Sequence, residues 1–338
     1  MRIIVNASNI HVGGGKTMLV DFLTSAKNTN DLNYYIFVDP RFEYNNFKYD
    51  HIHFERIPKK KRLMVDYKIK SVADENDLII CFGNIPPYIK YRCKVILLQN
   101  NRYLIENYSL KNFPLKTIIR IYLERFIFRL FLNNVDKIIV QSSVMKNLLN
   151  LLPFNNDDVE VIPFKNIDDI IIPKKQRLKD NFLYVASHEP QKNHRNLISA
   201  WKLLALEGIK PNLYLTIDKD TSQYEYIKRY SEKHNLNITI KPNLKRNDLL
   251  NYFMTVSALI YPSLFESYGL PLVEAKNCNL PVIASELDFV RDLIDPVETF
   301  DPHSPRSICR AVKRYLNIPE NRYDVISADE FIEVIQQI

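Results

Sequence analysis

Glycine, tryptophan and cysteine are scarce in this chain of 338 residues, which has six, one and four of them respectively. No two cysteines are spaced as C-x-x-C, which argues against a zinc or disulfide framework and predicts reduced, buried thiols. No apolar stretch stays free of charge over the roughly 18 residues that a membrane span needs. The chain begins on the strand-like segment MRIIVNA and not on a hydrophobic signal region, so we expect a cytoplasmic protein. The cysteines are Cys81, Cys93, Cys278 and Cys309.

Acidic residues are fewer than basic ones, and the deficit is confined to the first half of the chain. Residues 1–180 hold 28 Lys and Arg against 19 Asp and Glu, a net charge of +9, whereas the remainder holds 18 against 20, a net charge of −2. A basic half predicts attraction to an anionic membrane surface, with the cluster KKKR at residues 59–62 as the candidate contact. A basic domain without such a partner is the alternative. No nucleic-acid-binding motif accompanies the charge, so nucleic acid is not an expected partner.

The most informative stretch is SALIYPSLFESYGLPLVEAKNCNLPVIAS, residues 257–285, which predicts a strand, a loop, a helix and a second strand. Ligands of parallel sheets bind beyond the carboxyl ends of the strands. Gly269 permits close backbone approach, and the helix start at Leu270 offers free N–H groups to a phosphate. Glu266 and Glu274 would then accept bonds from the sugars on either side of a pyrophosphate. Two solvated surface acids around an ordinary turn are the alternative.

Two further loops follow predicted strands and precede predicted helices. Gly13, Gly14 and Gly15 follow the first strand, with a helix expected from residue 16, an arrangement that can cradle phosphate. The string GGGKT is not a P-loop, because Ile10 stands where the first glycine of that motif is needed. A tight turn without a ligand is the alternative. Lys192 is placed to neutralise phosphate in the second loop, or else is an ordinary surface lysine.

Taken with its flanks, the E-x7-E pair in FESYGLPLVEA, followed by PVIAS, resembles the retaining glycosyltransferases of family 4. These enzymes have the α/β GT-B fold, in which two Rossmann-like, doubly wound domains face each other across a cleft. The segment YVASHEPQKN is similar to the Y-V-G-[ST]-x-E-P-x-K-N segment of that family. The resemblance implies that Glu266 contacts the donor sugar, Glu274 the nucleotide ribose and Lys192 the donor diphosphate. It places Gly14 and Gly15 at the cleft.

The chain departs from the family at two positions. Ser187 stands where many members have an Arg, so one phosphate contact is missing or supplied elsewhere; Ser187 and Asn193 are nevertheless expected on the donor side. Gln99 and Asn100 replace a His-Asp pair, which puts a catalytic His in doubt. The G-N-x-P-P loop, which contains Asn84, and the Q-N-x-x-Y loop look like those of relatives that build surface polysaccharides such as O-antigen or capsule. Their amide groups suit sugar hydroxyls on the acceptor side.

The domain boundaries follow from the predicted strands and from the resemblance. We predict an acceptor-binding domain over residues 1–165, a linker over 166–180 and a nucleotide-sugar-binding domain over 181–322. The resemblance implies that a last helix over 323–338 packs back on the first domain. A helix over 115–132 carries its charges on two separate stripes, which favours an ordinary domain helix over one lying in a membrane surface.

The predicted reaction moves a sugar from a nucleotide-sugar donor to a lipid-linked saccharide acceptor with retention of the anomeric centre. We expect no cofactor and no metal, because the D-x-D string at Asp218 and Asp220 belongs to a different glycosyltransferase fold and is too short to be specific. The protein is expected at the inner face of the plasma membrane. Two alternatives remain open: a sugar-nucleotide epimerase of the same fold, and a non-catalytic sugar-nucleotide-binding subunit that activates a partner.

Overall fold

The computed structural model describes residues 1–111, 113–152, 158–165, 177–242, 244–320 and 327–336. The first half of the chain forms a parallel sheet, and its strands are β1 (Arg2–Ala7), β2 (Asn33–Val38), β3 (Ile52–Arg56), β4 (Leu78–Cys81), β5 (Lys94–Leu98), β6 (Lys137–Val140) and β7 (Val159–Val161). Their order across the sheet is β3-β2-β1-β4-β5-β6-β7. The helices of this half are α1 (Gly13–Ala26), α2 (Val65–Val72), α3 (Leu115–Phe131) and α4 (Ser143–Asn150).

A second parallel sheet follows, with strands β8 (Leu178–Tyr184), β9 (Asn212–Leu215), β10 (Ile238–Ile240), β11 (Val256–Tyr261), β12 (Val282–Ser285) and β13 (Glu298–Phe300). Their order across the sheet is β10-β9-β8-β11-β12-β13. The helices are α5 (His194–Leu206), α6 (Ser222–His234), α7 (Arg246–Thr255), α8 (Leu270–Asn277), α9 (Asp288–Arg291), α10 (Pro305–Tyr315) and α11 (Ala328–Ile335).

Both faces of each sheet are buried, which explains why the strands read as apolar runs without a polar side. In β1, Ile3 and Val5 pack on the face that α1 covers, together with Leu19. Ile4 points to the opposite face and packs in the cluster that contains Phe128 of α3. The second sheet has its own core around Trp201 of α5. Two doubly wound α/β domains are therefore present, as the sequence predicts.

Each sheet has a point at which the strand order reverses, and these points fix where ligands bind in open α/β sheets. The reversal lies between β1 and β4 in the first sheet and between β8 and β11 in the second. The glycine run follows β1, the loop with Asn84 follows β4, the loop with Lys192 follows β8 and the loop with Glu266 follows β11. These four loops thus follow the strands at the two reversal points, whereas Gln99 and Asn100 follow β5, the next strand beyond β4.

Two boundaries differ from the sequence prediction or fall partly beyond the described residues. Strand β8 begins at Leu178, inside the predicted linker, because Leu178 pairs with Val256 of β11. The polar residues Lys179 and Asp180 conceal this extension in the sequence. The remainder of the predicted linker, 166–176, lies outside the described residues. Helix α11 leaves Ile332 and Ile335 about half exposed, and its packing on the first domain stays a prediction.

Helix α3 has the predicted bounds to within one residue, and Ile121, Arg125 and Phe128 attach it to the first domain. Only part of its surface is buried, and six large apolar side chains face solvent: Leu115, Ile119, Tyr122, Leu123, Phe126 and Leu130. The charges of this helix lie on two stripes, but its exposed apolar residues lie together on one side. None of the helices in the described part of the chain combines the length and the apolar character needed to span a membrane.

Candidate functional site

The loop after β11 is held between the two domains. Its Phe265 ring packs between Tyr103 and Tyr108 of the first domain, with ring centroids 4.6 and 4.4 Å away. The Arg102 guanidinium lies 4.4 Å from the centroid of the same ring, and its Nη1 donates to the Glu266 carbonyl oxygen at 3.2 Å. The structure therefore places Glu266 at the cleft, where the sequence predicts a donor-sugar contact.

The side chains of Lys192 and Glu266 form a direct pair. Lys192 Nζ donates to Glu266 Oε1 at 2.6 Å, and the buried Tyr261 hydroxyl donates to the same oxygen at 3.0 Å. Lys192 ends a short 3-10 turn, and the next residue, Asn193, has a left-handed backbone with φ of 60°. Both donors hold the carboxylate in one orientation, and the ammonium keeps two further hydrogens for another acceptor. The pair therefore places an ammonium group that can bind an anion beside a carboxylate that can accept hydrogen bonds from hydroxyl groups.

The glycine run does not form the turn that the sequence predicts. It forms the first turn of α1, which begins at Gly13 and not at residue 16. A Cβ on Gly14 would lie 3.5 Å from Leu270 Cδ1, and one on Gly15 would lie 3.2 Å from Ile10 Cδ1. Because glycine is a poor helix former, the sequence predicts that α1 begins only after the three glycines. The first turns of α1 and α8 thus approach each other across the cleft, and each presents the positive end of its helix dipole.

Gly269 is the residue before α8, and its conformation explains why glycine stands there. Its φ is +82°, which L side chains rarely adopt, and a Cβ would also lie 3.2 Å from Leu272 Cδ1. Pro271 lies in the first turn, where its missing N–H is no loss. Sequence and geometry agree that a helix N-terminus opens at Leu270, beside the Lys192 and Glu266 pair.

Glu274 is buried on α8 and is bound by two cations that the sequence analysis missed. Lys165 Nζ donates to Glu274 Oε1 at 2.6 Å, and Arg246 Nη1 donates to the same oxygen. Lys165 belongs to the predicted first domain and Arg246 begins α7 of the second, so the pairing joins the two halves of the chain. No local pattern marks either residue, because both partners lie far from Glu274 in sequence.

The predicted donor residues Ser187 and Asn193 differ in what they offer. Ser187 is exposed and its hydroxyl donates to Glu189. Asn193 is buried, and its Nδ2 donates to the Pro262 and Pro302 carbonyl oxygens at 3.0 and 2.7 Å. The amide hydrogens of Asn193 therefore hold the loops that contain Pro262 and Pro302. Only the Oδ1 of this side chain remains for a contact with a nucleotide sugar.

Amide side chains cross-link the loops of the first domain. Asn84 adopts a left-handed backbone, and its Oδ1 accepts from the Asn100 N–H. Gln99 is fully buried and its Nε2 donates to the Asn101 carbonyl oxygen at 3.1 Å. Gln141, directly after β6, is buried with no hydrogen-bond partner for its side chain among the described residues. Buried amides without partners are rare, so Gln141 joins the candidate ligand contacts; a polar residue ending an apolar strand was its only sequence signal.

A cavity of about 240 Å³ opens beside these loops. Asn9 and Gly83 line it at the sheet edge, and the Asn9 Nδ2 donates to the Gly83 carbonyl oxygen at 3.0 Å. Two carboxylates, Asp66 and Glu124, line it on the α2 and α3 side. Burial raises the pKa of Asp66, against a hydrogen bond from the Tyr88 N–H, and burial likewise raises the pKa of Glu124. The cavity offers donors and acceptors of hydrogen bonds, as a saccharide requires.

The described residues contain no cluster of three His, Cys, Asp or Glu side chains with the spacing of a metal site. Asp218 and Asp220 lie on an exposed loop before α6.

Comparisons with known proteins show what the chain resembles in sequence and in fold. Residues 166–330 match the family described as glycosyl transferases group 1. The chain is 25% identical over 227 residues to the serotype-specific mannosyltransferase WbdA of Escherichia coli, a match that covers 65% of this chain and 28% of WbdA. It is 20% identical over 252 residues to the O-antigen chain mannosyltransferase RfbU of Salmonella typhimurium strain LT2, covering 72% and 68% of the two chains.

Among solved structures, the chain is similar to the Anabaena protein HepE in complex with UDP and glucose. The TM-score is 0.68 with 16% sequence identity, and the match covers 100% of both chains. At this identity the similarity concerns the fold of both domains together. The chain spans only a little over a quarter of the length of WbdA, so it corresponds to one part of that relative.

Proposed function

We propose that this chain is a retaining glycosyltransferase of the family 4 type, because residues 166–330 match the group 1 glycosyl transferases and the two sheets form a GT-B fold. It transfers a sugar from a nucleotide-sugar donor to a saccharide acceptor in surface-polysaccharide biosynthesis. The names of WbdA and RfbU support the pathway class. The observation that carries the proposal is the pair of Lys192 and Glu266 at the cleft, beside the N-terminus of α8.

The reaction breaks the bond between the anomeric carbon and the leaving diphosphate and forms a glycosidic bond to an acceptor oxygen on the same face. Negative charge grows on the diphosphate, and the positive end of the α8 dipole and the Lys192 ammonium are placed to stabilise it. The acceptor proton passes to a leaving phosphate oxygen. Glu266 holds a hydroxyl of the donor sugar, and this assignment agrees with its fixed orientation against Lys192 and Tyr261.

Glu274 accepts from the ribose hydroxyls in this proposal. Its Oε1 is already bound by Lys165 and Arg246, so the nucleotide contacts the other carboxylate oxygen or displaces a cation. No metal takes part, because cationic side chains and helix N–H groups supply the positive charge that a metal would supply.

The acceptor occupies the cavity between the loops after β1 and β4 and the helices α2 and α3. We propose that it is lipid-linked and that the first domain contacts an anionic membrane. Lys59, Lys60 and Lys61 are exposed and available for this contact. Arg62, the fourth residue of the predicted basic cluster, is instead paired with the buried Asp39.

The test is nucleotide release with a panel of UDP-, GDP- and ADP-sugars, with and without a saccharide acceptor. Glu266→Gln and Lys192→Met each remove a charged hydrogen bond worth roughly 1.5–3 kcal/mol, so each lowers turnover about tenfold or more. Glu266→Gln weakens nucleotide binding less than it lowers turnover. Glu225→Gln and Lys219→Met, at exposed positions of the second domain, serve as controls.

Two outcomes would contradict the proposal. Acceptor-independent conversion of the donor would indicate an epimerase. Donor binding without turnover on any acceptor would indicate a non-catalytic subunit. Unchanged turnover in Glu266→Gln and Lys192→Met would refute the site even if transfer is observed.

A further inference from the structure

The exposed side of α3 is a continuous apolar face. The six large apolar side chains on it are each between 57 and 72% exposed: Leu115, Ile119, Tyr122, Leu123, Phe126 and Leu130. Their positions along the helix advance by 4, 3, 1, 3 and 4 residues, which places them on one side of an α-helix. Single exposed apolar residues are ordinary on protein surfaces, but a contiguous group marks an interaction site. We call this group the α3 face.

The opposite side of α3 is firmly attached to the domain, so the orientation of the α3 face is fixed. Ile121 and Phe128 are buried in or against the core. Arg125 is also buried and binds the loop below, where its Nε donates to the Tyr103 carbonyl oxygen and its Nη2 to the Glu106 carbonyl oxygen, both at 2.6 Å. The helix therefore cannot rotate to bury its exposed apolar side against the domain.

The surroundings of the α3 face are basic. Lys116, Arg120 and Arg129 of the same helix are exposed, and the one acidic residue in α3, Glu124, is partly buried and lies 3.8 Å from Arg120. A second exposed apolar group, Leu63, Met64 and Tyr67, directly follows the exposed lysines 59–61. Leu63 of this second group and Glu124 of α3 line the same cavity.

We propose that the α3 face inserts into the surface of an anionic lipid bilayer. An apolar strip flanked by Lys and Arg matches both layers of such a surface, with the apolar residues among the acyl chains and the cations at the headgroups. A second copy of the chain would bring the same basic surface to the contact, and like charges would oppose it. The charge complementarity therefore selects an anionic lipid surface as the occupant.

This docking gives the acceptor cavity a defined position. Glu124 of α3 and Leu63 both line the cavity, so docking through α3 places a wall of the cavity within about one helix diameter, roughly 10–12 Å, of the bilayer surface, where a lipid-linked saccharide lies. That consequence rests on the proposed glycosyl transfer, whereas docking itself can be measured without turnover. Insertion also differs from attraction by charge alone, because salt screens charge interactions beyond about 8 Å at physiological ionic strength and leaves apolar burial intact.

The experiment compares the full chain with Ile119→Ser/Phe126→Ser in co-sedimentation with phosphatidylcholine vesicles and with vesicles that also contain phosphatidylglycerol. The matched control is Leu206→Ser/Val297→Ser, which removes two exposed apolar residues from the second domain. We expect the unmodified chain and the control to bind the anionic vesicles and to retain binding in high salt. Ile119→Ser/Phe126→Ser should lose at least tenfold in partitioning at high salt.

A second measurement reports insertion directly. The chain has one tryptophan, Trp201, which is buried in the second domain. Leu123→Trp therefore adds a single exposed indole, whose emission should shift to shorter wavelength with anionic vesicles. Equal vesicle binding by Ile119→Ser/Phe126→Ser and the control, or no shift for Leu123→Trp, overturns the proposal. A dimer that Ile119→Ser/Phe126→Ser abolishes would assign the face to a protein contact instead. Turnover on a water-soluble acceptor should be unchanged in Ile119→Ser/Phe126→Ser. Absence of turnover in the unmodified chain, the control and the double variant alike would contradict the proposed glycosyl transfer but not the docking.

Discussion

Replacing Glu274 by Gln tests the most deeply buried charge cluster of the cleft. The Lys165 and Glu274 side chains are only 5 and 7% exposed, whereas Arg246 is 40% exposed. Glu274→Gln leaves Lys165 charged, buried and unpaired, and breaking a buried pair in this way costs roughly 3–5 kcal/mol. Arg246 turns toward water at little cost, so most of the loss comes from Lys165.

Lys165→Met has a smaller effect, because Glu274 keeps Arg246 as a partner. The loss of one charged hydrogen bond amounts to about 1.5–3 kcal/mol. In Lys165→Met/Glu274→Gln neither buried charge remains, and neutral replacements of a buried ion pair are often tolerated. The double variant should therefore be more stable than Glu274→Gln alone, although it carries one more substitution.

Urea unfolding followed through Trp201 fluorescence measures this difference, because the single tryptophan lies in the core of the domain that contains Glu274. Glu225→Gln, at an exposed position of the same domain, is the control. A Glu274→Gln protein as stable as the control, or a double variant less stable than Glu274→Gln, would refute the pairing. Nucleotide titration separates function from stability, because Glu274→Gln should weaken nucleotide binding about tenfold or more, as expected for a lost charged hydrogen bond.

Two further predictions concern the effects of a metal chelator and of pH. Turnover should persist in EDTA, and loss of activity restored by manganese would show that Asp218 and Asp220 had been misinterpreted. Burial, assisted by the charge of Lys192, lowers the pKa of His194 from 6.5 to about 3. The unfolded chain therefore binds this proton first, so the stability contribution is complete above about pH 6.5 and is lost at up to about 1.4 kcal/mol per pH unit as the pH falls toward 3. His194→Asn should flatten this part of the curve of unfolding free energy against pH, and an unchanged slope would contradict the assignment.

The meeting of Lys192 and Glu266 was predictable because parallel sheets bring their loops to one edge. Lys192 follows β8 and Glu266 follows β11, and these two strands are neighbours in the sheet although about 70 residues separate them in the chain. The alternation of apolar runs with helical segments was sufficient to place both loops at the same edge. The 2.6 Å contact between the two side chains then follows from local loop geometry.

The partners of Glu274 were not predictable by the same reasoning. Lys165 lies in a segment that reads as irregular and charged, and Arg246 begins a helix that carries no recognisable motif. Their convergence on one oxygen depends on how the second domain packs against the end of the first, which no periodicity encodes. The start of α1 was misplaced for a different reason: the low helix propensity of glycine suggested a turn, whereas the helix begins at Gly13, and a Cβ on Gly15 would lie only 3.2 Å from Ile10 Cδ1.

Helix α3 links the surface of the first domain to the loop that carries Glu266. Arg125 of α3 binds the Tyr103 carbonyl oxygen, and the Tyr103 ring packs against Phe265, the residue before Glu266. The buried side of α3 therefore supports the cleft while its exposed side is apolar. The charged residues of α3 do not lie on one side of the helix. Arg125 is buried and binds the loop below, whereas Lys116, Arg120 and Arg129 are exposed to solvent. The sequence alone does not separate the residues of α3 that support the cleft from those that face solvent, because that division depends on contacts with the Tyr103 loop.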